Sequence, residues 1–173
     1  IIGNELDNEI SGNDGNDTLF GGAGNDVFNW ATDSRDGVDT MHGGTGNDTY
    51  VLSSASDIVV ELAGEGADTV YTPTSYSAPS NVENVFGFGN RGSLTIKGNN
   101  LDNVLRGSEL NDIIEGGGGS DDFLLYVGMG NDKVTDFNSD EGDEVLLAYG
   151  LSGYQFANTS TGAMYSLEDG SSL

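Results

Sequence analysis

Between Gly12 and Asn29 the chain reads GNDGNDTLFGGAGNDVFN, two nine-residue units laid end to end with aspartate sixth in each. Glycine-dense stretches with a carboxylate at a fixed offset favour left-handed or tightly turned backbone. The triplets that follow, Thr18-Leu19-Phe20 and Val27-Phe28-Asn29, read as short strands. A unit of this length cannot bury a face alone. Repeated, each unit must rest on its neighbours, and the chain winds into a coil.

The phase holds well beyond this stretch. Gly3 to Ser11 (GNELDNEIS) keeps it with Leu6 in a glycine slot and Asn8 in the aspartate slot, which makes a weaker or capping turn. After Trp30 an insertion carries Arg35, and the pattern returns at Asp39 and then as GGTGNDTYV with Asp48. From Ser53 glycine thins out, but Asp57-Ile58-Val59-Val60 and Asp68-Thr69-Val70-Tyr71 keep the order of carboxylate then strand. These turns are expected to hold shape by hydrogen bonds or to carry weaker metal sites. In TPTSYSAPSNVENVFGFG, from Thr72 to Gly89, Pro73 and Pro79 exclude a central strand and suggest a loop laid along one sheet, followed by a strand near Leu94-Thr95-Ile96. A second array starts at Gly98, with Asn103, Asp112, Asp121 and, after a longer step, Asp132 in the aspartate slot.

The organisation that follows is a first repeat block at 1–52, a glycine-poor spacer at 53–97, a second block at 98–144 and a C-terminal cap at 145–173. In the cap, Val145-Leu146-Leu147 is expected to close the roll. MYSL, with a turn at Glu168-Asp169-Gly170, calls for a partner strand beyond Leu173. Ile1 begins inside a repeat and the last segment stops in mid-pattern, so both ends are expected to continue in a longer protein.

These units resemble the GGxGxDxUx nonapeptide of the RTX calcium-binding parallel β-rolls. The resemblance implies an all-β fold, a right-handed parallel β-roll of stacked nonapeptide coils with an irregular spacer and a C-terminal capping segment. Two nonapeptides make one coil of about 18 residues, with a strand on each face and a calcium-binding turn at each edge. Ca2+ takes about six to eight oxygens from carboxylates and carbonyls. A Gly-Gly-x-Gly turn offers carbonyls, and the aspartate in sixth place closes the shell.

In the resembled family an ion is shared by turns one coil apart on the same edge. That implies the pairs Asn8 with Asp26, Asp17 with Asp39, Asp26 with Asp48, Asp39 with Asp57, Asn103 with Asp121 and Asp112 with Asp132. The carbonyl donors implied are Gly21, Ala23, Gly43, Thr45, Gly116 and Gly118, and Asp136 and Asp143 are expected to join the last metal turns. The complete turns ending in Asp26 and Asp48 should bind most tightly, the asparagine turns least. Asp14, Asp102 and Asp122 fall off the sixth slot and are expected to face solvent.

Charge fits the same reading. Twenty-nine acidic residues against five basic ones give a net charge of −24, which opposes compaction and excludes a nucleic-acid backbone as partner. Such a charge would permit disorder, but a solvated acidic tail has no reason to place its acids in glycine turns just before apolar pairs. If about six to eight Ca2+ bind, they offset about 12 to 16 negative charges, so the metal-free chain is expected to be expanded and the loaded one compact. The chain has no cysteine and one histidine, His42, expected at the surface, so zinc and iron centres lack their ligands. No stretch reads as a membrane span.

The acids are committed to turns, and no serine, lysine or histidine constellation offers a nucleophile and base. Catalysis is therefore expected only in a domain outside this chain. The leading reading is a calcium-stabilised module of a secreted or cell-surface bacterial protein, exported by type I secretion, unfolded inside the cell and folded outside it; a monomer is expected. The alternative is a module that binds an anionic polysaccharide or a protein, including other domains of the parent, through Trp30, Arg35, Arg91 and Lys97. Tyr71, Tyr76, Phe86, Phe88 and Arg106 would assist it. Exposure of those aromatics beside the cations would favour the alternative, and their burial would favour the scaffold.

Overall fold

A computed structural model describes residues 1–28, 37–89, 91–126, 128–147, 155–159 and 162–166. Trp30 and Arg35 lie outside the described residues. One face of the roll is an eight-stranded sheet of β1 (Glu9–Ile10), β3 (Val27–Phe28), β5 (Thr49–Val51), β7 (Thr69–Thr72), β9 (Asn84–Gly87), β11 (Val104–Arg106), β13 (Asp122–Leu125) and β15 (Glu144–Leu147), paired in that order. The opposite face holds β2 (Thr18–Ala23), β4 (Thr40–Thr45), β6 (Ile58–Val60), β8 (Tyr76–Ser77), β10 (Thr95–Lys97), β12 (Ile113–Glu115) and β14 (Lys133–Val134). The chain crosses from one face to the other at every turn, and consecutive coils pair in parallel, as a β-roll requires.

Most strands this short bury one central apolar side chain, and β13 buries two, Phe123 and Leu125. Ile10, Phe28, Tyr50, Val70, Val85, Leu105 and Phe123 point inward from the first face, and Leu19, Met41, Val59, Ile96, Ile114 and Val134 from the second. In-register pairing lines them up: Phe28 faces Tyr50 along the sheet, Tyr50 faces Val70, and Leu105 faces Phe123. The Phe28 and Tyr50 rings stack with centroids 5.0 Å apart. Each such residue, moved from water into the roll, stabilises it by about 1.5–3 kcal/mol.

Within the spacer, the stretch from Thr72 to Gly89 departs from the expected loop. It supplies β8 and β9, and β9 pairs with β7 and β11 as a full member of the eight-stranded sheet. Proline acts where it stands. Pro73 and Pro79 flank a strand of only two residues, and the coil from Asp68 to Glu83 advances 15 residues where its neighbours advance 20 or more. β6 and β8 do not pair, so the second face is split into β2-β4-β6 and a sheet running from β8 to the C-terminal strands.

Val145-Leu146-Leu147 lies in β15, the last strand of the first face. The cap differs in where its next strand pairs. The segment containing Met164 and Tyr165 finds its partner upstream: β16 (Gln155–Thr159) and β17 (Gly162–Ser166) form an antiparallel hairpin, and β17 lies antiparallel on β14. A hairpin turned against the parallel stack covers an edge that would otherwise template another chain.

Candidate metal centre

Every strand of the first face is entered from the aspartate slot: Asn8, Asp26, Asp48, Asp68, Glu83, Asn103, Asp121 and Asp143 each precede a strand. Up to Glu83, and again from Asn103, these residues form a ladder in which the backbone N–H of one coil donates to the carboxylate of the next; between the two, Asn103 Nδ2 donates to Glu83 O. Asn8 N–H donates to Asp26 Oδ1 at 2.8 Å, Asp26 to Asp48 at 2.7 Å, Asp48 to Asp68 at 2.8 Å and Asp68 to Glu83 at 2.8 Å. Asn103 donates to Asp121 at 2.9 Å and Asp121 to Asp143 at 3.0 Å. On the second edge Asp17 donates to Asp39, Asp39 to Asp57, Leu94 to Asp112 and Asp112 to Asp132. All six pairs expected from the resemblance are neighbours in this ladder.

One carboxylate oxygen is thus occupied by the coil before. The other folds back over the glycine that opens its own turn: a Cβ at Gly21 would fall on Asp26 Oδ2, and one at Gly116 on Asp121 Oδ2. The glycine is there because the carboxylate needs its place. What that second oxygen meets divides the turns into two kinds. Asp57 Oδ2 accepts from Ser53 and Ser54 N–H, Asp112 Oδ2 from the Ser108 backbone and hydroxyl, and Asp143 Oδ2 from Asn138 N–H. Asn8 and Asn103 likewise accept from Asn4 and Asn99. Asp26, Asp48 and Asp68, by contrast, each bury an Oδ2 that has no hydrogen-bond partner among the described residues.

A buried carboxylate oxygen without a partner is costly, and burial raises these groups out of the usual carboxylate range. Asp48 and Asp68 are pushed up to about 6, as is Asp121, and Asp132 to about 7. Asp26 is raised for the same reason. Each accepts a backbone N–H that works against the shift, and desolvation outweighs it. A divalent cation would satisfy such oxygens and reverse the shift, so the donor set fits Ca2+.

The remaining expected residues fall in several places. Ala23 and Thr45 stand in register at the ends of β2 and β4, beside the stacked glycines Gly22 and Gly44, and Gly21 and Gly43 lie in the same two strands. Gly116 and Gly118 sit in the turn that Asp121 closes, where Gly118 N–H donates to Asn99 O. Asp136 is engaged away from the aspartate slot: its two oxygens accept from Gly116 and Gly117 N–H. Asp14 and Asp102 are exposed, whereas Asp122 is half-buried in β13. His42 stacks on Phe20 at 4.6 Å on the outside of the second face.

Among the described residues, Arg91, Lys97 and Arg106 do not gather into one patch. Lys97 ends β10 and stands in an exposed ion pair with Glu115, Arg91 is exposed in a bend, and Arg106 stands on the opposite face. There the Arg106 guanidinium lies 5.0 Å from the Phe86 ring and 5.8 Å from that of Tyr126, with Tyr71 edge-on to Phe86. Tyr76 instead packs against the core.

Sequence reasoning missed Glu61 as a ligand candidate and left Asp68 among turns of undecided role. With Asp48 they form a buried group in which one carboxylate oxygen from each lies within 4.8 Å of the other two. The pointer to Glu61 was positional: strand pairing aligns Thr40 with Ile58 and His42 with Val60, which sets Glu61 opposite Gly43, in a slot where the repeat has glycine.

The four-copy RTX calcium-binding nonapeptide repeat family matches residues 2–29, 33–59 and 97–134. The endo-1,3-1,4-beta-glycanase ExsH of Rhizobium meliloti (strain 1021) is 39% identical over 131 residues, covering 72% of this chain and 28% of that protein. The chain therefore matches little more than a quarter of that relative's length.

Proposed function

Because the chain belongs to the RTX calcium-binding nonapeptide repeat family, we propose that it is the calcium-folded module of a secreted bacterial protein, exported unfolded by type I secretion and compacted outside the cell. The observation that carries this is the set of buried, partnerless oxygens on Asp26 and Asp48, stacked on one edge of the roll. Bound there, Ca2+ supplies positive charge that holds successive coils together. Asp17, Asp26, Asp39, Asp48, Asp121 and Asp132 are the carboxylates that would hold it, with turn carbonyls completing the shell, and the count is about six to eight ions. At a net charge of −24 the metal-free chain repels itself, which suits passage through a secretion channel.

Calcium titration of the stripped chain, followed by circular dichroism, tests this. The expected result is a cooperative gain of β signal between micromolar and millimolar calcium. A spectrum already folded in chelator and unchanged by calcium would contradict it.

A second reading has its own support. Tyr71, Phe86, Arg106 and Tyr126 form a cation-and-aromatic stripe on the outer side of the eight-stranded sheet, beside a cleft lined by Phe88, Ser108 and Glu109. Aromatic faces and a guanidinium suit an anionic polysaccharide. Affinity electrophoresis in alginate would show retardation of the calcium-loaded chain, abolished in Arg106→Ala; equal mobility of the two would remove this reading.

A further inference from the structure

The roll has a place where the nonapeptide lapses and the chemistry does not. In the coil ending in Asp48 the turn opens with Gly43; in the next, ending in Asp68, the corresponding residue is Glu61, and the following LAGEGA lacks the paired glycines. A glutamate there is not required by packing, because the slot is served by glycine at Gly21, Gly43 and Gly116. Its side chain turns inward over Gly43, where a Cβ would meet Asp48 Oδ2, the Tyr50 hydroxyl and Glu61 Oε1 together.

The group is sealed. Asp48 is 1% exposed, Glu61 5% and Asp68 1%. The Tyr50 hydroxyl donates to Glu61 Oε1, and Glu61 Oε2, Asp48 Oδ2 and Asp68 Oδ2 are buried with no partner among the described residues. Three buried carboxylates, each keeping a partnerless oxygen and each offering an oxygen within 4.8 Å of the other two, gather here with a single hydroxyl to meet them. Asp136 supplies the contrast. It too occupies the slot of a turn-opening glycine, one coil after Gly116, but both its oxygens are taken by the backbone of the preceding turn.

We propose that Asp48, Glu61 and Asp68, positioned by the Tyr50 hydroxyl, form a dedicated divalent-cation site of their own kind, in which a glutamate carboxylate replaces the carbonyl donors the lapsed turn cannot offer. Oxygens bonded to one Ca2+ at about 2.3–2.6 Å can lie no more than about 5 Å apart, and the three carboxylates meet that limit at 4.8 Å. An all-oxygen set of this kind suits a hard cation such as Ca2+ rather than a thiophilic metal. Glu61 and Asp68 both lie outside the segments matched by the repeat family, so the site extends cation binding from the first array into the stretch that follows it. Its consequence is mechanical. The split second face leaves β6 without a partner on its far side, and a cation here ties the coil carrying β6 to the one before it.

The site rests on the calcium reading above, and the test separates the two. Calcium binding to the whole chain is measured by equilibrium dialysis and calorimetry for the natural sequence and for Glu61→Gln, which keeps the length and the contact with Tyr50 and removes the charge. The expected result is one ion fewer per chain, or one site weakened at least tenfold, with the others unchanged and the same circular dichroism at saturating calcium. An equal count and equal affinities would overturn the site while leaving the calcium reading intact; a natural chain that binds no calcium would overturn both. Should Glu61→Gln fail to fold, crystals of the natural chain soaked in terbium decide. An anomalous peak bounded by the three carboxylates supports the site, and terbium found only at other turns refutes it.

Discussion

At the scale of single residues, the turns are governed by where a Cβ cannot go. Gly44 holds a φ of 99°, and a Cβ there would strike the Gly22 carbonyl of the preceding coil, which is backbone and cannot step aside. Gly44→Ala is therefore expected to cost about 2 kcal/mol or more, from left-handed strain and the clash together. Urea denaturation in saturating calcium measures it. Gly92→Ala is the matching control: nothing lies within 4 Å of its Cβ position and its φ is not positive, so a change within about 0.5 kcal/mol is expected. Asn13 shows how the rule bends, since it holds a φ of 63° in the unit before Gly22. Asparagine tolerates left-handed backbone where most side chains do not.

At the scale of the element, the unit is one turn plus the strand it feeds, and equivalent aspartates in these units are not alike. Asp112 has both oxygens engaged, one by Leu94 N–H and the other by Ser108. Asp112→Asn turns an acceptor into a donor beside those donors. The expected cost is about 1–3 kcal/mol of stability at saturating calcium, with the number of bound ions unchanged. Asp26 keeps a free oxygen, so Asp26→Asn is expected to weaken calcium binding about tenfold at that edge, because charge count tunes such sites. Paired denaturation and dialysis on the two variants separate these outcomes. The strands respond differently again: Leu105→Ala, in the middle of β11 and fully buried, should cost about 2–5 kcal/mol wherever calcium stands.

At the scale of the whole molecule, the buried carboxylates set how stability answers to pH. Burial raises Asp48, Asp68 and Asp121 from 3.8 to about 6, Asp132 to about 7 and Glu61 from 4.5 to about 8. A carboxyl with a raised folded value binds its proton more tightly folded than unfolded. Its stabilising contribution is complete below the unfolded value of about 4 and fades as pH climbs through the folded one. The metal-stripped chain is therefore expected to gain β signal as pH falls from about 8 to about 5, protons standing in for calcium. With calcium present the dependence should reverse, because protons then compete with the ion for the same oxygens. Circular dichroism across that range, with and without calcium, checks both signs; a stripped chain that loses structure on mild acidification would contradict the assignment.

The nine-residue phase was enough to read a coil of turns and short strands, and the family resemblance it carries implied the parallel roll and the coil-to-coil partners from Asn8 with Asp26 to Asp112 with Asp132. The turn and strand themselves follow from a local rule, in which glycine permits the turn and an apolar pair follows the aspartate. Where the repeat lapses, local rules ran out. Pro73 and Pro79 suggested a loop, yet stacking on β7 makes a strand of Asn84–Gly87, since the backbone polar groups of its neighbours must be met whatever lies between. The β16–β17 hairpin and the opposite-face positions of Lys97 and Arg106 are likewise matters of through-space pairing. So is the convergence of Asp48, Glu61 and Asp68, which are separated by 13 and 7 residues and meet only because strand register sets Glu61 above a glycine. Periodicity determined what the coil is; the stacking of unlike coils decided which carboxylates share a space without water or partner.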